Sequence, residues 1–168
     1  MKKQVGSILE LQEGILVHGC NCHGVMGGGI AKLIRDKWSG VYTTYREYHS
    51  KVGLRLGDVV NVSHFKLRAH YKTAARHVHG VHDGLPERLI IVNAMTQDDF
   101  GHDPSKVYVD YDAIEAAFSR VAILARDTGL PVHFPLIGCG LAQGKWEEVE
   151  ARIERALPDA DKTLWVLK

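Results

Sequence analysis

The stretch that most constrains this chain is His18-Gly-Cys-Asn-Cys-His-Gly-Val-Met-Gly-Gly-Gly-Ile-Ala31. It follows an apolar strand, Ile15-Leu16-Val17, turns through small and glycine residues, and continues from Ile30 as an amphipathic helix. A strand that feeds a helix through glycines leaves unbonded backbone N–H groups at the positive end of the helix dipole, an arrangement suited to a phosphate. The glycines also let a ligand approach the main chain closely. No Gly-Lys-Ser/Thr follows, so this is no P-loop, and three consecutive glycines do not make the G-x-G-x-x-G dinucleotide fingerprint.

The rest of the chain repeats the strand-then-helix theme. Gln4 to Leu9 reads as a short first strand interrupted by Gly6-Ser7, and Gly14 to Cys20 as the second. Helices are expected from about Gly29 to Lys37 and over Val41 to Lys51, where Tyr42, Tyr45, Tyr48 and His49 recur at helical spacing as a packing stripe. Gly57 to Val62 reads as a strand after a turn. The continuous apolar run Arg88 to Ala94 has the pattern of a central buried strand and ends in Met95-Thr-Gln-Asp-Asp-Phe-Gly-His102. Asp110 is placed to cap a helix whose apolar positions Ile114, Ala117, Phe118, Val121, Leu124 and Ala125 share one face, ending near Gly129. A strand from Pro131 to Pro135 leads into a second glycine-rich loop, Ile137 to Gly144, then a helix from Trp146 to Leu157 and a closing strand from Thr163 to Leu167. Alternating strands and helices imply a layered α/β fold with a mostly parallel sheet. In such folds ligands bind beyond the carboxyl ends of the strands. The two glycine loops and the loop after Ala94 are therefore expected to converge on one cleft.

Residues 64–88 are the least regular part, with five of the ten histidines (His64, His70, His77, His79, His82) and the basic residues Lys66, Arg68, Lys72, Arg76 and Arg88. The spacing matches no standard zinc site. A solvated edge hairpin with 77–82 as one arm is the main reading; a basic flap facing phosphate is the alternative. The net charge of +1 exerts no general pull on nucleic acid or membrane. No apolar run is long enough to span a membrane, and no apolar leader follows Met1-Lys2-Lys3. The cysteines at 20, 22 and 139 are odd in number, with two of them one residue apart, which points to a reducing, cytoplasmic setting and to packing roles.

Together these motifs resemble the macro domain family. Ile15 to Cys22 followed by Gly27 to Ala31 is similar to that family's first binding loop, and Pro135 to Leu141 with Trp146-Glu147 is similar to its second. The His-x-Cys-Asn-Cys form resembles the branch that includes ADP-ribose-1''-phosphate phosphatases. Val25-Met26-Gly27 ahead of Gly28 resembles the branch that removes ADP-ribose from DNA or from protein carboxylates. The resemblance implies a single three-layer α/β/α macro domain over 1–168, with a mixed, mostly parallel central sheet and the 64–88 segment as an insertion. It implies binding of ADP-ribose or a derivative, with an ADP-ribosylated conjugate or nucleic acid as an open partner, and it requires no cofactor or metal. By residue, it places Ser7 and Ile8 beside adenine. Cys20, Asn21, Cys22, Val25, Met26, Gly27, Gly28, Gly29 and Ile30 fall around the diphosphate and distal ribose, with Ile137, Gly138, Cys139, Gly140, Leu141 and Ala142 opposite. Ala94, Thr96, Gln97 and Phe100 line the far side, Phe100 able to cover a sugar or ring.

Three positions depart from the family pattern. Ser7 stands where many members carry an Asp that reads the adenine amino group. Gln97 stands where the conjugate-cleaving branch uses a Lys, and Ala142 where some of that branch use an Asp. These departures favour hydrolysis of the phosphate of ADP-ribose-1''-phosphate over a lysine-assisted mechanism. Hydrolysis of an ADP-ribosyl bond and non-catalytic reading of ADP-ribose remain the alternatives. For the phosphatase the resemblance selects His18 as the first catalytic group, with Asn21. His23 is the second imidazole, exposed by the turn, and Asp98 or Asp99 could orient water.

Overall fold

The computed structural model describes residues 1–64 and 77–167. Its elements are β1 (Lys2–Val5), a single 3-10 turn (Ile8–Glu10), β2 (Glu13–Asn21), α1 (Gly29–Lys37), α2 (Ser39–Val52), β3 (Val59–Ser63), β4 (His77–Val81), β5 (Arg88–Gln97), α3 (Tyr111–Thr128), β6 (Val132–Phe134), α4 (Trp146–Ala156) and β7 (Lys162–Val166). The strands form one sheet in the order β1-β7-β6-β2-β5-β3-β4. All neighbours are parallel except β3 and β5, so the sheet is mixed and mostly parallel.

Side-chain alternation along the strands builds the two cores. In β2, Ile15 and Val17 point to one face, where they join Ile114, Ala117 and Phe118 of α3 and Val149 and Ile153 of α4. Leu16, between them, points to the opposite face and meets Ile34 of α1 and Trp38 and Val41 at the start of α2. The sheet is thus covered on both sides, and this is the reason β2 and β5 read as unbroken apolar runs. Phe118 and Phe134 lock α3 to β6 edge-to-face, with centroids 5.4 Å apart. Asp110 caps α3 by accepting the Ala113 N–H at 2.8 Å, and Gly129 ends it in the left-handed conformation.

Three expectations change. The first strand is β1, ending at Val5 rather than reaching Leu9. Gly6 turns the chain at φ 149°, and the Ser7 side chain then accepts the Leu9 N–H at 3.4 Å to start the 3-10 turn. The central strand runs past Ala94 to Gln97, so Met95, Thr96 and Gln97 belong to β5 and not to the segment after it. An extra residue at Thr96, a bulge opposite Cys20 and Asn21, shifts the register there. Finally, β4 does lie at the sheet edge, but it pairs with β3 in parallel and so forms no hairpin with it. Lys66, Arg68, His70, Lys72 and Arg76 lie outside the described residues. No helix among the described residues is long and apolar enough to cross a membrane.

Candidate functional site

A cleft of about 610 Å³ opens along the carboxyl ends of four neighbouring strands. Across the sheet the rim is formed by Trp165 to Leu167 at the end of β7, Pro135 to Ala142 after β6, Gly19 to Ala31 around the end of β2, and Gln97 to His102 around the end of β5. The two expected glycine loops are therefore side by side. Leu141 of the second reaches over Gly28 of the first, so closely that a Cβ there would come within 2.9 Å of it.

The floor of the cleft is rich in main-chain donors. Gly28 caps α1 without a side-chain bond, and Lys32 is the first residue to donate back along the helix, to Gly28 O at 3.1 Å. The N–H groups of Gly29, Ile30 and Ala31 are left for a ligand, at the positive end of the helix. In the second loop, Gly144 N–H closes on Gly138 O at 2.7 Å and Gln143 N–H on Gly140 O at 3.0 Å. Gly138, Gly140 and Leu141 donate to no backbone acceptor among the described residues. Gly138 holds φ 73°, and a Cβ on it would lie 2.6 Å from Val109. Only glycine makes this corner without strain. No Lys, Arg, Asp or Glu lines the cleft among the described residues; His102 is its one imidazole.

Asn21 lines the cleft, yet most of its amide is spent on the turn itself. Its Nδ2 donates to Val25 O at 2.7 Å, and its Oδ1 accepts from His23 N at 2.9 Å and from the Tyr45 hydroxyl at 3.0 Å. Burial keeps Tyr45 protonated and therefore a donor. Asn21 shapes the loop and offers a ligand at most one further N–H. Cys20, Val25, Met26, Gly27, Gly28, Gly29 and Ile30 also line the cleft, as do Gln97, Phe100 and every residue from Ile137 to Ala142. Burial raises the thiol pKa of both Cys20 and Cys139, which keeps them neutral packing groups.

Other expected residues are placed elsewhere. His18 is fully buried beneath the cleft and does not line it. It sits beside Asn93 in the β2–β5 register. Asn93 Nδ2 donates to Val60 O at 3.2 Å, which turns its Oδ1 toward His18. His18 Nε2 therefore carries the proton and donates to Oδ1 at 2.6 Å. Burial lowers the His18 pKa to about 4, so the ring is a neutral tie between strands, out of reach of a ligand. Cys22, Ala94 and Thr96 are buried and off the cleft. Ser7 and Ile8 also stand off it, Ser7 as the cap of its turn and Ile8 in the core cluster against which Trp165 packs.

His23 is exposed on the rim, its ring edge-on to Phe100 with centroids 6.1 Å apart. Asp98 and Asp99 are exposed and just outside the lining. The Asp99 carboxylate is occupied by the Phe100 N–H at 2.8 Å and Lys106 at 3.1 Å, which hold its pKa below the usual range. Sequence reading overlooked Leu136, His102 and Trp165 as lining residues. The available signal was position: in a parallel sheet the end of the closing strand joins the same rim as the others.

No protein-family model matches the chain. The curated ADP-ribose 1''-phosphate phosphatase of Scheffersomyces stipitis is 27% identical over 154 residues, 84% of this chain and 82% of that protein. The DNA ADP-ribosyl glycohydrolase of Mycobacterium tuberculosis is 25% identical over 163 residues, 95% of this chain and 40% of that protein. Among solved structures, the macrodomain of Mycobacterium tuberculosis DarG superposes with a TM-score of 0.73 at 23% identity, covering 98% of this chain and 95% of that one. Thermosipho africanus DarTG in complex with ADP-ribose gives a TM-score of 0.71 at 16% identity, over 99% of this chain and 42% of that one. The mixed sheet between two helical layers, with a glycine-lined cleft at its carboxyl rim, has the macro domain fold of these structures.

Proposed function

We propose that this cleft binds ADP-ribose or a derivative and that the protein hydrolyses the phosphate of ADP-ribose-1''-phosphate. The observation that carries the binding is the distribution of groups along the cleft. Residues of α1 and of the second glycine loop whose N–H groups have no backbone acceptor among the described residues line it, between the aromatic rings of Trp165 on the β7 side and Phe100 on the β5 side. A diphosphate between two ring systems matches that order, and the volume lies within the range of small-molecule sites. Adenine belongs at the Trp165 end and the distal ribose at the Phe100 end. The names of the phosphatase and glycohydrolase relatives support a substrate of this class.

In the reaction, water attacks phosphorus, the bond to the 1''-oxygen breaks, and that oxygen leaves as the hydroxyl of ADP-ribose after taking a proton. Preorganised N–H groups stabilise the charge on the transferring group without reorganising. His102 on the lining and His23 on the rim flank the Phe100 end and are the groups to activate water. They replace His18, whose ring is buried and committed to Asn93.

Titration calorimetry with ADP-ribose, run beside a phosphate-release assay on ADP-ribose-1''-phosphate, tests the reading. Binding together with phosphate release is the expected result. Binding with release of free ADP-ribose from a conjugate, and no phosphate release, transfers the activity to an ADP-ribosyl bond. Binding without either product leaves a reader of ADP-ribose.

A further inference from the structure

Trp165 is the aromatic wall at one end of the cleft, and its polar edge is not free. The indole Nε1–H donates to Nδ1 of His133 at 3.1 Å, and the two rings meet edge-on with centroids 6.1 Å apart. His133 is on β6 and Trp165 on β7, so the bond crosses between neighbouring strands. The imidazole is seated tightly: a Cβ on Gly14 of β2 would come within 2.6 Å of His133 Cδ2, so a glycine there makes room for the ring. We propose that His133 is a positioning residue for nucleotide binding, holding the Trp165 indole at the base end of the cleft through this hydrogen bond. The proposal rests on the reading of the cleft as an ADP-ribose site and adds to it a group that does not touch the ligand.

To accept the indole proton, Nδ1 must be unprotonated, so the bond exists only with the neutral ring. Burial is the main influence on His133 and lowers its pKa, which favours that form at neutral pH. Asp161, just before β7, opposes this, and Lys2 on β1 reinforces it; the two are themselves paired at 2.8 Å. The residues beside His133 in register, Leu16 on β2 and Thr163 on β7, do not titrate near neutrality. As pH falls, the ring takes up a proton on Nδ1, the acceptor is lost, and the indole is released. Affinity for the nucleotide therefore declines in acid.

The test is ADP-ribose calorimetry at about pH 8 and about pH 5.5 on the intact chain, for the wild type, His133→Asn and His133→Leu, with indole fluorescence of the ligand-free proteins read alongside. The wild type is expected to lose affinity at the lower pH, to the extent that the ring is protonated there and by at most about fivefold, the scale of one hydrogen bond. His133→Asn places an amide oxygen where Nδ1 stands and takes up no proton, so it should bind like the wild type at high pH and keep that affinity in acid. His133→Leu should be weaker by about the same factor at both pH values. A Leu variant as tight as the wild type, or an Asn variant with the same acid loss, overturns the proposal. If the Leu variant does not fold, Trp165→Phe replaces it, keeping a ring and losing the donor, with the same pH-independent weakening expected. A wild type that binds no ADP-ribose at either pH instead overturns the reading of the cleft. The contact is then judged by fluorescence, because a protonated imidazole quenches an adjacent indole. Acid quenching that disappears in His133→Asn upholds the coupling, and equal quenching in both overturns it.

Discussion

His18 and His133 are both strand histidines that burial keeps neutral, but they hold different things: His18 ties β2 to β5 through Asn93, and His133 reaches the cleft through Trp165. For His18 this has a consequence for stability. The folded state holds its pKa at about 4, whereas the unfolded chain has the ordinary value of 6.5. Above pH 6.5 both states are neutral and the group adds no pH dependence. Between about 6.5 and 4 the unfolded chain binds the proton and the folded one does not, so stability falls as the pH drops, by roughly 3 kcal/mol over the whole window. His18→Gln can donate to Asn93 from its amide and does not titrate. Urea unfolding at about pH 7 and about pH 4.5 should show the wild type losing roughly 2–3 kcal/mol more than this variant. Equal losses would mean that His18 is not buried in its neutral form. The variant should retain ADP-ribose binding, because the ring it replaces lies beneath the cleft.

At the scale of elements, the second glycine loop is the part with least tolerance. Gly138 sits in the left-handed region and its missing Cβ leaves space for Val109. Gly138→Ala should cost roughly 1–3 kcal/mol, from the unfavourable conformation and the overlap together. It should also weaken ADP-ribose binding at least tenfold, because the N–H groups of this loop move with it. Thermal melting and calorimetry on the same preparation check both effects; unchanged affinity would remove the loop from the binding site. The elements themselves were largely legible in the chain. Asp110 and Gly129 bracket α3 as their capping chemistry implies, and both strand–glycine–helix junctions stand at the rim. What was not legible depends on register and sheet order. Trp165 looks like a core residue in isolation and reaches the cleft because β7 lies beside β6. His18 shares its parity with Leu16 in a strand covered on both faces, so alternation alone would have placed it inside. The family resemblance pointed it at the ligand instead. The first strand ended early because Gly6 and the Ser7 cap, taken as an interruption, are a terminus.

For the molecule as a whole, the distribution of charge sets how it would hold an anion. The net charge of +1 provides no overall attraction, and no Lys, Arg, Asp or Glu lines the cleft among the described residues. Lys106, in the segment that follows Phe100, is committed elsewhere: it pairs with Asp99 at 3.1 Å and lies over the Tyr108 ring. A diphosphate in this site would meet fixed dipoles, the N–H groups of α1 and of the second loop, instead of mobile side-chain charges. Dissolved ions weaken attraction between exposed charges over a Debye length, which is about 10 Å at 0.1 M salt. They have little effect on a short hydrogen bond inside a cleft. The affinity for ADP-ribose should therefore change by less than about twofold between roughly 50 and 500 mM sodium chloride. A site built on two or three lysines or arginines would lose much more over the same range. Calorimetry across that salt series distinguishes the two designs. A steep decline would show that basic side chains close over the ligand, and main-chain donors would then no longer account for the binding.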